Sequence, residues 1–321
     1  MKNKPIIIVA GEPNSIFLEI FFKTIRRKKF KRPLILICSK KLLKLQMNKL
    51  KFKKKIKIIK ITDLKNKNLN NNSINLIDIK YNQSSAFQKI SSKSKNYIKK
   101  SFDIAFKIIK LGLGNNLVNG PISKKKFLNK KFLGITEYIS DNFSSKNNAM
   151  LIFNKNLSVC PLTTHLPIKL VSKNINKELI IQKVKLIDTF YKKYLDYKPK
   201  IGVTGLNPHC ESNESKNEDI NIIKPSIKYL KNMGFNISGP YPADTIFLKK
   251  NRVKFNVIIG MYHDQVLGPL KTLYEYNAIN ITLGLPFVRI SPDHGPNEDM
   301  LGKNTSNPLS LMNSFIFLDK N

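Results

Sequence analysis

Four histidines occur among 321 residues, and three of them interrupt apolar runs inside short polar peptides. These are Thr163-Thr164-His165-Leu166-Pro167, Gly205-Leu206-Asn207-Pro208-His209-Cys210-Glu211 and Met261-Tyr262-His263-Asp264-Gln265. Each follows a strand-like segment, and strand ends are where α/β proteins present side chains to ligands. A lone histidine more often caps an element or sits hydrogen-bonded in a core. Three at successive strand ends in a histidine-poor chain predict a metal centre instead, because neutral imidazoles suit zinc and other borderline divalent ions. Three protein ligands also leave coordination positions open for substrate or water. Cys210 adjoins His209, but neighbours on a strand face opposite ways, so it is not expected to be a ligand.

The elements that must hold these histidines alternate between apolar runs and helical patterns. Ile6 to Ala10, Phe17 to Ile25 and Pro33 to Cys38 have the rhythm of a β-α-β unit, which predicts a parallel sheet. Helical spacing runs from Tyr97 to Leu113 and ends at Gly112 and Gly114, while Lys51 to Ser73 reads as exposed loops. Further on, strands are expected at Leu157 to Leu162, Lys200 to Thr204 and Val257 to Met261, with helices at Lys177 to Tyr194 and Glu218 to Met233. Gly114 to Pro121 is the preferred crossing between two α/β domains, one of residues 1–117 with 278–321, the other of residues 118–277.

An apolar fraction of 41% is enough to build a core for two such domains. The 57 basic residues outnumber the 21 acidic, for a net charge of +36, a balance that usually points to nucleic acid. Here the lysines are spread through nearly every segment beside Asn and Ile, arginine is scarce and tryptophan absent, so no specific nucleic-acid partner is expected. No apolar stretch has the length of a membrane span, no membrane partner is expected, and the start of the chain lacks a signal-peptide layout. A cytoplasmic protein is therefore expected. Cys38, Cys160 and Cys210 form an odd, widely spaced set that fits reduced thiols.

Read in order, a series of longer peptides resembles the 4-hydroxythreonine-4-phosphate dehydrogenase family of vitamin B6 biosynthesis. They are Asn119-Gly120-Pro121-Ile122-Ser123-Lys124, Thr164 to Pro167, Gly205 to His209, Gly239-Pro240-Tyr241-Pro242-Ala243-Asp244-Thr245, Met261 to Gln265, Asn280 to Arg289 and Asp293-His294-Gly295. The resemblance implies a homodimer whose subunits carry two α/β/α domains of the isocitrate/isopropylmalate dehydrogenase type, with a cleft between them. It implies NAD as cofactor, with NADP as the alternative, and one divalent ion (zinc, magnesium or cobalt) held by His165, His209 and His263. Substrate contacts carry over to Thr136, Lys271, Asn280 and Arg289, and the adenine loop to His294, Gly295, Asp299, Gly302 and Asn307. Asp244, Asp264 and Lys271 are the candidates for orientation and proton transfer.

The implied reaction is oxidation and decarboxylation of 4-phosphooxy-L-threonine to 3-amino-2-oxopropyl phosphate, for which one Lewis acid serves both the loss of the hydroxyl proton and the departure of carbon dioxide. A related dehydrogenase acting on another phosphorylated hydroxy acid, such as a four-carbon sugar-acid phosphate, is the alternative. Two departures bear on that choice. Family members carry Gly-His-Thr-Glu where this chain has Gly134-Ile135-Thr136-Glu137. The family's glycine-rich N-terminal loop is here Gly11-Glu12-Pro13-Asn14-Ser15-Ile16-Phe17-Leu18-Glu19, and if the lost glycines served positive φ or close approach, Ser15 and Phe17 would distort it.

Overall fold

A computed structural model describes residues 4–65, 69–128, 132, 134–211, 217–292 and 294–320. Its strands are β1 (Ile6–Val9), β2 (Leu34–Cys38), β3 (Ile56–Ile58), β4 (Ile74–Asp78), β5 (Asn116–Asn119), β6 (Ala149–Phe153), β7 (Ser158–Thr163), β8 (Ile201–Thr204), β9 (Ile237–Tyr241), β10 (Val257–Tyr262), β11 (Ile279–Leu283) and β12 (Val288–Pro292). The chain divides into two compact units, Met1–Ser144 with Leu285–Asn321, and Ser145–Gly284. The Gly114 to Pro121 segment lies inside the first unit, on β5 and the turn after it.

In the first unit the strand order is β3-β4-β2-β1-β5-β12, and every pairing is parallel. All four residues of β1 are buried, as expected for a parallel strand covered on both faces. The helix Phe17–Arg27 buries Phe17, Leu18, Ile20, Phe21 and Phe22. Phe21 meets Phe315 of the C-terminal helix Leu309–Lys320 edge-on, with ring centroids 6.3 Å apart. The helix Lys95–Lys110 ends as its sequence foretold, with Gly112 at φ +68° and Leu113 N–H returning to the Ile108 carbonyl. Lys51 to Ser73 is more structured than expected, since it contains the edge strand β3 and a short 3-10 turn, Ile61–Lys65.

The second unit orders its strands β11-β6-β7-β10-β8-β9. Here β7, β10, β8 and β9 run parallel, whereas β6 is antiparallel to both β7 and β11. β6 thus departs from the parallel pattern of β7, β10, β8 and β9, and it reaches β7 through a tight connection too short for a parallel crossover. The expected helix at Lys177 is present as Lys177–Leu195. The one expected from Glu218 opens instead as a π-helical turn over Asp219–Ile223 and becomes α-helical only at Lys224–Asn232. Such single π turns recur beside functional sites because they re-aim side chains at the start of a helix.

Candidate active site

The strands β7, β10 and β8 are neighbours, and their C-terminal ends carry His165, His263 and His209 respectively. His165 and His209 both sit in the left-handed region, at φ +56° and +58°, and Cys210 follows at +64°. Histidine enters this region more readily than most residues, but non-glycine positions there are uncommon and gather at functional sites. The rings of His165 and His263 lie with centroids 6.0 Å apart. Two imidazoles bound to one zinc at its usual bond length would bring them to about 5 Å, so this pair stands about 1 Å wider than a bound one. Among the described residues no three His, Cys, Asp or Glu side chains already converge within coordinating reach. The donor chemistry, three imidazoles, fits a borderline divalent ion.

What holds the three peptides in register is a chain of hydrogen bonds at the strand ends. Thr163 Oγ1 donates to the Met261 carbonyl at 2.7 Å, tying the His165 strand to the His263 strand. The Gln265 carboxamide ties the latter to the His209 strand: Oε1 accepts from Met261 N–H at 2.7 Å and Thr204 Oγ1 at 2.8 Å, while Nε2 donates to the Gly205 carbonyl at 2.8 Å. Asp264 touches His263 itself, with Oδ1 2.6 Å from Nδ1. A carboxylate on Nδ1 fixes the tautomer that leaves Nε2 as the free donor, the usual arrangement behind a metal-binding imidazole. Asp264 thus stands against His263, with its carboxylate largely exposed.

Beyond Gly205 the His209 peptide folds over Asp219. Asp219 is fully buried and its two oxygens accept from Leu206 N–H at 2.8 Å, Asn207 N–H at 3.0 Å and Asn207 Nδ2 at 3.0 Å. Gly205 permits the approach, because a Cβ there would stand 2.6 Å from Asp219 Oδ1 and 2.8 Å from Cys210 Sγ.

Arg289, on β12, is buried beside β5 in the first unit. Its Nε donates to Asn119 Oδ1 at 2.8 Å and its Nη1 to Thr136 Oγ1 at 3.1 Å. Two sequence-derived substrate contacts, Thr136 and Arg289, are thereby brought together. Burial pulls the Arg289 guanidinium down to about 10, a fall opposed by the charge of Glu137. Tyr138 anchors the helix Ile135–Asn142 by packing edge-on to Phe102, Phe127 and Phe132, and this sets Thr136 against the guanidinium.

The other expected residues are placed less tightly. Lys271, on the helix His263–Tyr274, is half-buried, and burial lowers the pKa of its ammonium group. Asn280 lies on β11 opposite Ile152 of β6, and Asp244 is exposed on the short helix Ala243–Ile246. In the adenine loop, His294 Nδ1 lies 3.1 Å from the Gly295 carbonyl, and Nε2 is buried without a hydrogen-bond partner among the described residues. Burial lowers the His294 pKa, which keeps the ring neutral. Asp299 is exposed on the 3-10 turn Glu298–Met300, Gly302 has φ +72°, and Asn307 Oδ1 accepts from Leu309 N–H. Asp293 lies outside the described residues. Glu19 and Lys23 pin this loop from the helix Phe17–Arg27: Glu19 Oε1 accepts from Ser306 N–H at 2.7 Å, and Lys23 Nζ donates to the Asn304 and Ser306 carbonyls.

The N-terminal loop is not distorted by Ser15 and Phe17. Neither has positive φ, and Ser15 Oγ donates to the Glu12 carbonyl at 2.7 Å and accepts from Phe17 N–H, which closes the turn. Phe17 is buried over Gly120, with its ring centroid 6.5 Å from that of His294. The glycine that the turn cannot lose is Gly11, at φ +78°, where a Cβ would stand 2.4 Å from the Pro121 carbonyl oxygen. All three cysteines are free and buried, as expected of reduced thiols. No helix among the described residues is long and apolar enough to cross a membrane. Sequence reasoning assigned no role to Asn119, Asp219 or Gln265, the residues that fix Arg289 and the histidine peptides. Asn119 and Gln265 did stand inside recognisable peptides, whereas nothing in the sequence marked Asp219.

Comparisons with known proteins bear on the chain as a whole. The model of a family described as pyridoxal phosphate biosynthetic protein PdxA matches residues 29–317. A 4-hydroxythreonine-4-phosphate dehydrogenase of Sulfurihydrogenibium sp. (strain YO3AOP1) is 38% identical over 312 residues, 95% of this chain and 94% of that one. The crystal structure of a 4-hydroxythreonine-4-phosphate dehydrogenase from Klebsiella pneumoniae matches with a TM-score of 0.83 at 25% identity, covering 98% of each chain. A beta-decarboxylating dehydrogenase from Thermococcus kodakarensis shares the fold alone, with a TM-score of 0.50 at 11% identity over 97% of this chain and 81% of that one.

Proposed function

The chain belongs to the pyridoxal phosphate biosynthetic protein PdxA family, and from that premise we propose that it oxidises and decarboxylates 4-phosphooxy-L-threonine to 3-amino-2-oxopropyl phosphate with NAD and a divalent metal. The observation that carries this reading is the set of three histidine peptides at adjacent strand ends, cross-tied by Thr163 and Gln265, with Asp264 against His263. His165, His209 and His263 would hold the ion, which when bound stabilises charge developing on the substrate oxygen during both oxidation and decarboxylation. Arg289, held flat by Asn119 and Thr136, suits a planar, bidentate anionic group of the substrate. Lys271, whose ammonium burial already lowers in pKa, is the candidate for moving a proton. His294, with its buried Nε2 and neutral ring, and the Gly295, Asp299, Gly302 and Asn307 loop would take the adenine side of NAD. A homodimer in the cytoplasm completes the proposal.

Ile135, where the pattern of the resembled family has histidine, favours a second reading in which the substrate is a different phosphorylated hydroxy acid, such as a four-carbon sugar-acid phosphate. An apolar side chain cannot donate a hydrogen bond to a substrate hydroxyl or phosphate. The two readings separate in one experiment, kcat/KM for NADH formation from each substrate by the purified, metal-supplied protein. Preference for 4-phosphooxy-L-threonine by tenfold or more supports the first reading, and the reverse preference replaces it with the second.

A further inference from the structure

We propose that Asp219 is the positioning residue of His209, clamping its peptide so that the imidazole is presented to the metal; this rests on the reading of His165, His209 and His263 as ligands. His209 occupies an exposed turn with left-handed backbone, a conformation with no regular hydrogen-bond ladder to hold it. Besides the backbone bonds of the Pro208–Cys210 turn, the side-chain restraint near it centres on one carboxylate, with Glu218 Oε2 a weaker second acceptor for Asn207 Nδ2 at 3.4 Å. Asp219 receives Leu206 N–H on one oxygen and both Asn207 N–H and Asn207 Nδ2 on the other, and both residues precede the Pro208-His209 pair. Charge-assisted bonds of this kind are about twice as strong as neutral ones, and a fully buried carboxylate has little freedom to move.

The backbone that carries Asp219 is itself unusual. Asn217 Oδ1 accepts from Asp219 N–H at 3.0 Å and Ile220 N–H at 3.2 Å, and the chain then passes through the π-helical turn Asp219–Ile223. The wide turn carries Asp219 inward beneath Gly205, where any Cβ would collide with it. Gln265 fixes the Gly205 carbonyl from the opposite side. The His209 peptide is thus gripped at both ends of its approach, by Gln265 toward β8 and by Asp219 toward His209.

The test is equilibrium Zn2+ binding to the full-length wild type, Asp219→Asn, His209→Ala and the double variant, with Co2+ absorption spectra as a second readout. Asparagine keeps the shape of aspartate but turns one acceptor into a donor facing backbone N–H groups. Asp219→Asn is expected to weaken Zn2+ binding by about 10- to 100-fold, the usual effect of removing an outer-shell partner. On the His209→Ala background the same change is expected to add less than twofold, because the ligand it acts through is gone. Saturating Co2+ is expected to give Asp219→Asn a visible band displaced toward that of His209→Ala, which a purely structural loss would not produce. Should Asp219→Asn fail to fold, Asn207→Asp sets a second carboxylate against Asp219 and is expected to weaken Zn2+ binding at least tenfold. Wild-type affinity in Asp219→Asn or Asn207→Asp, or an undiminished effect on the His209→Ala background, overturns the proposal. Equal affinity of wild type and His209→Ala overturns the metal reading itself, and the positioning role with it.

Discussion

Replacing Gln265 with leucine removes one side chain of nearly constant shape and three hydrogen bonds that join the ends of β8 and β10. The bonds run from Met261 N–H and Thr204 Oγ1 to Oε1, and from Nε2 to the Gly205 carbonyl, at 2.7 to 2.8 Å. A net contribution of about 1 kcal/mol per bond gives about 3 kcal/mol. Thr204 can rotate its hydroxyl toward another acceptor, but Met261 is fully buried and its N–H has no such freedom. Leucine recovers part of the loss by packing in a half-buried position, so a net cost of about 2–4 kcal/mol is expected. Urea unfolding followed by circular dichroism measures the cost, read from the transition of the second unit if the two units unfold separately. Native-state hydrogen exchange localises it, since opening of residues 201–206 and 257–263 should accelerate far more than opening of β1 or β5. A cost below about 0.5 kcal/mol, or faster exchange spread evenly over both units, would refute the cross-tie.

Arg289→Lys keeps a cation but loses the fork shared by Asn119 and Thr136; a loss of about 2–3 kcal/mol, roughly 30- to 150-fold, is expected in kcat/KM, with folding intact by circular dichroism. Gly11→Ala places a Cβ 2.4 Å from the Pro121 carbonyl at φ +78° and should cost about 2–5 kcal/mol, seen as a fall of roughly 5–15 °C in the melting temperature of the first unit. His294 should steepen the loss of stability in mild acid. Its folded pKa is lowered, so below the ordinary value of 6.5 the unfolded chain binds the proton first, and stability rises with pH up to about 6.5 and falls below it. Urea titrations across that range should show a shallower acid-side decline in His294→Gln.

The histidine peptides were legible in the sequence because each broke an apolar strand with polar residues, a pattern that reports a strand end whatever lies beside it. The same logic found β1, β2, β7, β8 and β10 and the helices Lys95–Lys110 and Lys177–Leu195. It passed over β3, a three-residue edge strand with lysine between its two isoleucines, and it did not mark β6, whose antiparallel direction depends on partners rather than on its own residues. Asp219 and Gln265 were illegible as positioning residues for a related reason. Gln265 bonds a residue 60 positions away, and Asp219 acts only because a π turn carries it beneath Gly205. Loss of the N-terminal glycines at Ser15 and Phe17 read as damage, yet the loop closes through the Ser15 hydroxyl and needs left-handed backbone only at Gly11.

NADH formation by the chelator-stripped protein with 4-phosphooxy-L-threonine and NAD, before and after a divalent metal is restored, is the most direct test of the chemistry assigned to this chain. Turnover should appear only with the metal and be absent from His209→Ala at any metal concentration tested. Turnover without metal, or wild-type rates in His209→Ala, would contradict the metal-assisted mechanism; no turnover from a folded, metal-loaded wild type would contradict the substrate.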